Sequence, residues 1–397
     1  MNYNSVELFS GAGGLALGLA AADFHHEVLV EWNQHACNTL RFNKEVGLHP
    51  VNTWDIVEGD ARNFDFTSIS KPIDLIAGGP PCQPFSLGGK HKGYEDNRDM
   101  FPIAVKAVRE LCPKVFVFEN VKGLLRSSFT NYLKYITLQL NYPNQIKYEQ
   151  EVWEDHLSRL ERYHTAGNNP ADGYKTVIRL LNAADYGVPQ KRERIFIVGF
   201  RNDLKTEWTF PKPTHSEDAL IWAKWVTGDY WDEHKVSKKD RPVLTATEQK
   251  RVEKLYQKYG MFGPTALRWR TVRDAISNLP KDIKNHEHRA GAQIYPGHTG
   301  SELDEPAKTL KAGDHGVPGG ENMVRYYDNS VRYFSVRESA RLQTFPDDFF
   351  ISGSWTEGMR QIGNAVPVKL AEVVGKSIRV QLERAFLETS YKGYVVG

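Results

Sequence analysis

The chain has 397 residues, of which 40% are hydrophobic and 25% are charged, and its formal net charge is +2. This composition is typical of a folded globular protein and excludes an intrinsically disordered chain. The near-neutral charge excludes a uniformly basic nucleic-acid-binding protein, so any basic surface must be local. The length favours one large domain together with a smaller one.

Three cysteines, Cys37, Cys82 and Cys112, form no CxxC pair, which favours a reducing compartment over a disulfide framework. The first residues, MNYNSVELFSGAGG, lack the basic and apolar regions of a secretory signal. No later window of 18 uncharged apolar residues is present. We therefore expect a cytoplasmic protein without a membrane span.

From Ser5 to Phe200, short apolar runs alternate with amphipathic stretches, beginning with SVELFS, GLALGLAAADF and EVLVEW. This alternation predicts an α/β fold with a doubly wound, mostly parallel sheet. Runs such as DLIAGG and VFVFENV are apolar on both faces, which is typical of central strands.

Beyond residue 200 the pattern changes. Residues 201–332 are interrupted by Pro and Gly, apart from one predicted helix in TEQKRVEKLYQKYG, and helical periodicity returns after residue 332. We infer a large domain at 1–200, a smaller domain inserted at 201–332, and C-terminal helices at 333–397 that complete the large domain.

The stretch FSGAGGLALG, residues 9–18, follows the first predicted strand and opens the first predicted helix. Backbone N–H groups at such a helix start can bind an anionic ligand group. Gly11, Gly13 and Ala16 match the GxGxxG/A pattern, and Glu31 lies about 20 residues on, where a ribose-binding acid would sit. The pattern fits NAD and S-adenosylmethionine equally, and glycines that only permit tight packing are the structural alternative.

Cys82 lies in GGPPCQPFS after an apolar strand, and Glu119 lies at the end of the next one, VFVFENV. Open parallel sheets bind ligands at the carboxyl ends of their strands, so the two side chains can converge. A thiolate is a strong nucleophile, and a nearby carboxyl group can act as an acid. In QKRERIFIVGF, Gln190, Arg192 and Arg194 alternate and should point the same way, toward a phosphate or a base carbonyl.

With these blocks the chain resembles the DNA (cytosine-5)-methyltransferases of bacterial restriction-modification systems. Eight blocks follow that family's order from Phe9 to Pro367: FSGAGG, EW, GD, PPCQPFS, ENV, QKRER, RLQTFPDDF and IGNAVP. The resemblance implies a Rossmann-like methyltransferase fold, S-adenosylmethionine as methyl donor and a specific double-stranded DNA sequence as substrate. It also implies that residues 201–332 form a target-recognition domain.

On this resemblance, Cys82 adds to C6 of a cytosine that is flipped out of the duplex, and C5 then takes the methyl group. Glu119 would bind the N3 and amino edge as a general acid, and Arg194 would hold the base O2. Arg192 would order the catalytic loop or bind a phosphate. The cofactor site would be lined by Phe9, Gly11, Gly13, Leu15, Glu31, Trp32, Asp60, Ala61, Pro81, Asn364 and Val366.

DNA contacts are expected in two places. The Gly- and charge-rich segment 86–100 is predicted to close over the flipped base, with Lys90 and Arg98 available to phosphates. The block around Cys82 contributes Gln83 and Ser86. In the inserted domain, basic residues between glycines suit loops that enter a groove: Arg268, Arg270, Lys311, His315 and Arg325. The alternative for each is a solvated surface charge. The family pattern does not place the segment 218–259.

Other functions remain open on the sequence alone. A tRNA cytosine-5 methyltransferase shares the catalytic blocks but has a smaller recognition region than the roughly 130-residue insert here. A catalytically inactive DNA-binding homologue would be free to lose Cys82 or Glu119, and a dehydrogenase would not explain PPCQPFS. His286, Glu287 and His288 lack ligand spacing, so no metal is expected. We expect a monomer. Its partner would be a restriction endonuclease that acts in the same system without binding to it.

Overall fold

The computed structural model describes residues 3–81, 99–280, 282–296, 299–312 and 322–395, with side chains to residue 388. The chain divides into two compact units. The first comprises Met1–Leu181, Glu193–Pro211 and Ala371–Gly397, and the second comprises Asn182–Arg192 and Lys212–Leu370. Within the described residues, no helix combines the length and the apolar character needed to cross a bilayer.

The central sheet lies in the first unit. Its strands are β1 (Tyr3–Leu8), β2 (Phe24–Glu31), β3 (Ile56–Glu58), β4 (Leu75–Gly78), β5 (Val115–Val121), β6 (Tyr174–Asn182) and β7 (Glu193–Arg201). They pair in the order β3-β2-β1-β4-β5-β7-β6. The first five strands pair in parallel, and β7 runs antiparallel to β5. The predicted α/β fold with a mostly parallel sheet is confirmed.

Helices alternate with these strands along the chain: α1 (Gly14–Ala20), α2 (Gln34–Glu45), α3 (Phe101–Leu111), α4 (Thr130–Asn141) and α5 (Trp153–Thr165). Every residue of β4 is buried, and so is every residue of β5 except Val121. Phe116 and Phe118 of β5 pack in the main hydrophobic core with Val105 and Val108 of α3. Their burial follows from the apolar character of both strand faces, because a central parallel strand is covered on each side.

The second unit contains short strands and helices. They are β8 (His215–Ser216), β9 (Leu267–Arg268), β10 (Ser301–Glu302), β11 (Met323–Arg325) and β12 (Val331–Tyr333), with α6 (Glu217–Trp222), α7 (Asp229–Glu233), α8 (Ala246–Tyr259), α9 (Val272–Ile276), α10 (Val336–Leu342) and α11 (Trp355–Asn364). The helix predicted in TEQKRVEKLYQKYG is confirmed as α8. Thr245 and Glu248 form a capping box at its start, which explains where it begins.

The compact units divide the chain at points other than the predicted boundaries at residues 200 and 332. Arg332 of β12 pairs with Glu338 of α10 at 2.7 Å, so α10 continues the second unit. The last helix, α12 (Val368–Val395), joins the first unit from Ala371 onward. There the indole N–H of Trp208 donates to the hydroxyl of Ser377 at 3.0 Å. The recognition role of residues 201–332 stays a prediction.

Candidate active site

The strand order of the sheet reverses at β1, which lies between β2 and β4. In open α/β sheets, ligands bind at such a switch point, beyond the carboxyl ends of the strands. The residues that follow β1, β2, β4 and β5 therefore define the candidate site.

The loop after β1 turns sharply into α1. Phe9, Gly11 and Gly13 have φ angles of 58°, 54° and 85°, all in the left-handed region. Glycine adopts this conformation without steric cost, whereas for Phe9 it is strained and is held by a 2.8 Å bond from its N–H to the carbonyl of Val30. A Cβ at Gly13 would lie 2.9 Å from the side chain of Leu40. The loop therefore depends on glycine and presents backbone at the start of α1.

Glu31, the last residue of β2, holds this loop in place. Its carboxylate is buried and accepts the N–H of Gly11 at 2.7 Å through one oxygen and the N–H of Asn33 at 2.7 Å through the other. A carboxylate oxygen can accept more than one hydrogen bond, so a ligand hydroxyl can add to these contacts. The neighbouring Trp32 is 73% exposed. A buried carboxylate beside an open indole ring suits a nucleoside, whose ribose donates hydrogen bonds and whose base stacks.

Asp60 follows β3, and its carboxylate already has a partner. One oxygen accepts the N–H of Arg62 at 2.9 Å, and the other lies 2.8 Å from the Nε of that arginine. The hydrogen bonds from Arg62 lower the pKa of Asp60. An adenine amino group would therefore share Asp60 with Arg62 or displace it, a competition that the sequence analysis missed. The predicted cofactor residues Leu15 and Ala61 have buried side chains.

Glu119 and Arg194 form a buried ion pair at the end of β5. The Nε of Arg194 lies 2.7 Å from a carboxylate oxygen of Glu119, and the two side chains are 13% and 10% exposed. A Cβ placed on Gly79 would lie 3.4 Å from the other oxygen, so the carboxylate faces the segment that follows β4. Acid and guanidinium thus lie side by side next to the block that contains the predicted nucleophile.

The segment that leads into Cys82 is fixed by hydrogen bonds. The side-chain amide of Asn120 donates to the carbonyl of Pro80 at 3.0 Å, and the N–H of Met100 donates to the carbonyl of Pro81 at 3.3 Å. Sequence analysis assigned no role to Asn120, although its place in the ENV block was a signal. The predicted nucleophile and four predicted DNA contacts lie outside the described residues, as does most of segment 86–100: Cys82, Gln83, Ser86, Lys90 and Arg98.

Arg192 belongs to the second unit and is fully buried. Its guanidinium donates to the carbonyl of Gly363 at 2.8 Å and to that of Leu310 at 3.4 Å. The amide oxygen of Gln190 accepts the N–H of Leu310 at 3.0 Å. Backbone carbonyls thus already engage the guanidinium of Arg192, and the expected convergence of Gln190, Arg192 and Arg194 on a phosphate stays a prediction. A positioning role for Arg192 stays a prediction.

Arg268 was predicted to read DNA bases, but its guanidinium lies 2.8 Å from both Asp274 and Glu233. Burial alone would raise the pKa of Asp274, yet the hydrogen bonds from Arg268 hold that pKa below its usual value. These ion pairs engage the guanidinium of Arg268, and its base-reading role stays a prediction. Glu233, His234 and Asp274 also bring potential metal ligands together, but the guanidinium already neutralises the two carboxylates.

The other predicted base readers differ in their surroundings. Arg270 is half-exposed and lies 3.4 Å from Asp274, and Arg325 forms an ion pair with Glu302. Lys311 has an exposed side chain, and His315 lies outside the described residues. Asn364 is exposed at the end of α11, whereas Val366 is buried. Roles for these residues in DNA or cofactor binding stay predictions.

Two buried titratable side chains lie in the strands next to α1. The Nε2 of His26 is 3.0 Å from the carbonyl of Ala16, and its Nδ1 is 2.9 Å from the hydroxyl of Ser5. Burial lowers the pKa of His26 to about 4. Burial also raises the pKa of Glu7 well above its ordinary value. The side chain of His26 is therefore neutral at pH 7.

Comparison with known proteins gives a match over nearly the whole chain. The family model of the C-5 cytosine-specific DNA methylases matches residues 3–152 and 168–380. Type II methyltransferase M.PspPI of Psychrobacter sp. (strain TA137) is 35% identical over 394 residues, which cover 97% of this chain and 80% of the relative. Type II methyltransferase M.NgoMIV of Neisseria gonorrhoeae is 30% identical over 384 residues, which cover 97% of this chain and 99% of the relative.

Solved structures resemble the chain in fold. A DNA modification methyltransferase encoded within a prophage of E. coli has a TM-score of 0.57 at 22% identity and covers 96% of this chain and 100% of its own. The Dnmt2 methyltransferase of S. pombe has a TM-score of 0.56 at 18% identity, with coverage of 96% and 99%.

Proposed function

The chain belongs to the C-5 cytosine-specific DNA methylases, and on that premise we propose how its residues carry out the reaction. It is a DNA (cytosine-5)-methyltransferase that uses S-adenosylmethionine. In the proposal, Cys82 is the nucleophile, Glu119 is the acid and Arg194 holds the target base. The observation that carries the proposal is the buried Glu119–Arg194 ion pair beside the segment that leads into Cys82.

The residues after β1 and β2 fit the methyl donor. Gly11 has open space where a Cβ would lie, and the carboxylate of Glu31 can accept a ribose hydroxyl in addition to the N–H of Gly11. The exposed indole of Trp32 offers a surface on which adenine can stack. We assign the remaining cofactor contacts to Phe9, Leu15, Asp60, Ala61, Pro81, Asn364 and Val366. The proposal includes no metal.

The Watson–Crick edge of cytosine presents O2, N3 and the amino group in a row. A flipped base is recognised through this edge, so an acid and a guanidinium held side by side can bind all three groups. Arg194 donates to O2. Glu119 takes up a proton from solvent as the base enters, delivers that proton to N3 through one oxygen, and accepts from the amino group through the other. Binding of the base therefore turns the observed ion pair into a three-point contact.

The covalent step starts from the thiolate of Cys82. Its sulfur forms a bond to C6, and the electron pair of the C5–C6 double bond moves onto C5 while the proton from Glu119 relieves the charge on the ring. The sulfonium of S-adenosylmethionine supplies the methyl group as an electrophile. Methyl transfer leaves S-adenosylhomocysteine as the second product. Water then takes the proton from C5, Glu119 takes its proton back from N3, and the sulfur–C6 bond breaks, which restores the thiolate and the aromatic ring.

The substrate in this proposal is a specific sequence in duplex DNA. Sulfur must approach C6 perpendicular to the ring, which is impossible in a stacked base, so the target is flipped out at a cost of a few kcal/mol. Contacts from the second unit and from segment 86–100 are proposed to offset that cost. The relatives are Type II methyltransferases of bacteria, which supports a restriction endonuclease as the functional partner. The proposal also takes the enzyme to be monomeric and cytoplasmic.

The test is bisulfite sequencing of a plasmid from cells that express the chain. We expect protected cytosines in one short sequence context, and none with Cys82→Ala. A filter assay with labelled methyl donor compares duplex DNA with tRNA. Labelling of tRNA with none of DNA would contradict the proposal.

A further inference from the structure

The turn after α8 exposes two large apolar side chains. Met261 is 82% exposed and Phe262 is 92% exposed. Single exposed apolar residues are common on protein surfaces, but two adjacent ones on a turn that is fixed by packing are not. We call Met261 and Phe262 the tip. The tip directly follows the segment 218–259, which the proposed reaction does not use.

Two glycines determine the backbone conformation of the tip, and the second of them lies against a buried cluster of side chains. Gly260 and Gly263 have φ angles of 62° and 72°, so both flank Met261 and Phe262 with left-handed backbone. A Cβ at Gly263 would lie 2.7 Å from the indole of Trp222, so this glycine lies directly on the ring.

The supporting indole is itself fixed. Trp222 packs in a buried cluster with Ile221, Val252 and Leu255. The ring of Tyr256, which is half-exposed, lies 5.1 Å from that of Trp222. The two exposed side chains of the tip therefore project from a packed base and not from a loose loop.

The helix that leads to the tip carries cations. Lys250 and Lys254 are exposed on one i, i+4 row of α8, and among the described residues no hydrogen bond or ion pair engages them. Lys258, next in that row, pairs with Asp218 at 2.9 Å. The tip is apolar, and the helix that leads to it carries two lysines without an ion-pair partner in the described part of the chain. This combination is complementary to a polyanion whose interior is apolar. A neutral apolar protein pocket would leave the lysines without a counterpart.

We propose that Met261 and Phe262 form a wedge that enters a base step of duplex DNA, with Lys250 and Lys254 on the flanking phosphates. The proposal rests on the proposed function, because it requires the second unit to meet the duplex. Phe and Met are among the side chains that wedge between base steps and kink DNA. Kinking a duplex weakens the stacking between neighbouring bases and adds contacts between DNA and protein. Both effects assist an enzyme that must extrude a base.

The test compares Phe262→Ala with Val243→Ala, a control at another highly exposed apolar residue of the same unit. The probe is unmethylated plasmid DNA, and affinity is measured over a range of KCl concentrations. We expect Phe262→Ala to weaken binding about tenfold at every salt concentration, because stacking is not screened. Lys250→Gln and Lys254→Gln should each reduce the salt slope by about one. Val243→Ala should match the wild type.

A second readout detects insertion itself. Relaxation by topoisomerase in the presence of the wild type should change the linking number of the plasmid, and Phe262→Ala should lose that change. Unaltered affinity and unaltered linking number in Phe262→Ala would overturn the proposal. Loss of self-association in that variant, with DNA binding intact, would overturn it in favour of a second copy of the chain.

Failure of the wedge is distinguishable from failure of the proposed reaction. The same wild-type preparation is assayed for plasmid methylation, which tests the reaction alone. S-adenosylmethionine binding and the melting temperature of Phe262→Ala should equal those of the wild type, because the side chain is exposed. These measurements show that any loss of DNA affinity arises at the tip.

Discussion

Asn120 donates its side-chain amide to the carbonyl of Pro80 at 3.0 Å and thereby joins the end of β5 to the segment that leads into Cys82. The amide oxygen of Asn120 accepts the N–H of Val121 at 2.9 Å, so the side chain is oriented at both ends. In the proposed reaction, the distance between the attacking sulfur and the acid depends on this residue, which performs no chemistry itself.

Asn120→Ala should lower kcat about a hundredfold, because a small misplacement of the sulfur is enough to cost that factor. KM for S-adenosylmethionine should change far less than kcat, since the loop at residues 9–13 is not touched and Pro81 is one contact among many. Steady-state kinetics on plasmid DNA measure both. Asn52→Ala, at an exposed asparagine, is the control. Parallel losses of kcat and cofactor affinity would indicate a folding defect and contradict the positioning role.

Arg194→Ala should reduce the free energy of unfolding by about 3 kcal/mol, because it leaves the carboxylate of Glu119 buried without its cation. Adding Glu119→Gln to that variant should recover most of the loss. Denaturant unfolding gives the values. Arg62→Ala, which breaks the exposed pair with Asp60, should cost less than about 1 kcal/mol. Similar losses of unfolding free energy in Arg194→Ala and Arg62→Ala would show that burial of the Glu119–Arg194 pair does not affect stability.

His26 should make the fold sensitive to acid. Its pKa is about 4 in the folded chain and 6.5 without burial, so between these values the unfolded chain binds a proton that the folded chain does not. Stability therefore falls as pH is lowered from 6.5 to 4, by about 3 kcal/mol. The free energy of unfolding of His26→Gln should depend less on pH between 4 and 6.5 than that of the wild type. His25→Gln, at an exposed histidine, should show the same pH dependence as the wild type. An identical pH dependence in His26→Gln would contradict the assignment.

Arg192→Met should destabilise the protein by about 2 kcal/mol, because it removes donors from the buried carbonyls of Gly363 and Leu310. The salt slope of DNA binding should stay the same, since the guanidinium is buried on backbone carbonyls. Thermal melting and salt-dependent binding separate the two roles. A normal melting temperature together with a slope reduced by about one would instead support a phosphate contact.

The sheet and the position of its site were predictable, because both depend on local signals. Apolar runs of strand length fixed β1, β4 and β5, and the polar residues just beyond them had to meet at one edge. Glu119 could be placed in this way, since strand order and parallel pairing determine its neighbours.

Side chains outside regular strands were less predictable. Alternation suggested that Arg192 and Arg194 point alike, but β7 begins at Glu193, and the side chain of Arg192 is buried on carbonyls from distant segments. The ion pairs of Arg268 were not predicted, because Glu233 lies 35 residues away in the sequence and Asp274 lies six residues away. Long-range ion pairs of this kind leave no periodic signal in the sequence.

The central claim is that Cys82 bonds covalently to a cytosine ring. Duplex DNA with 5-fluorocytosine at the target position tests it most directly, because fluorine at C5 blocks the final loss of a proton and traps the bonded state. The wild type with S-adenosylmethionine should give an adduct that survives denaturing electrophoresis, and mass spectrometry should locate it at Cys82. An absent adduct, or one that persists in Cys82→Ala, would contradict the account.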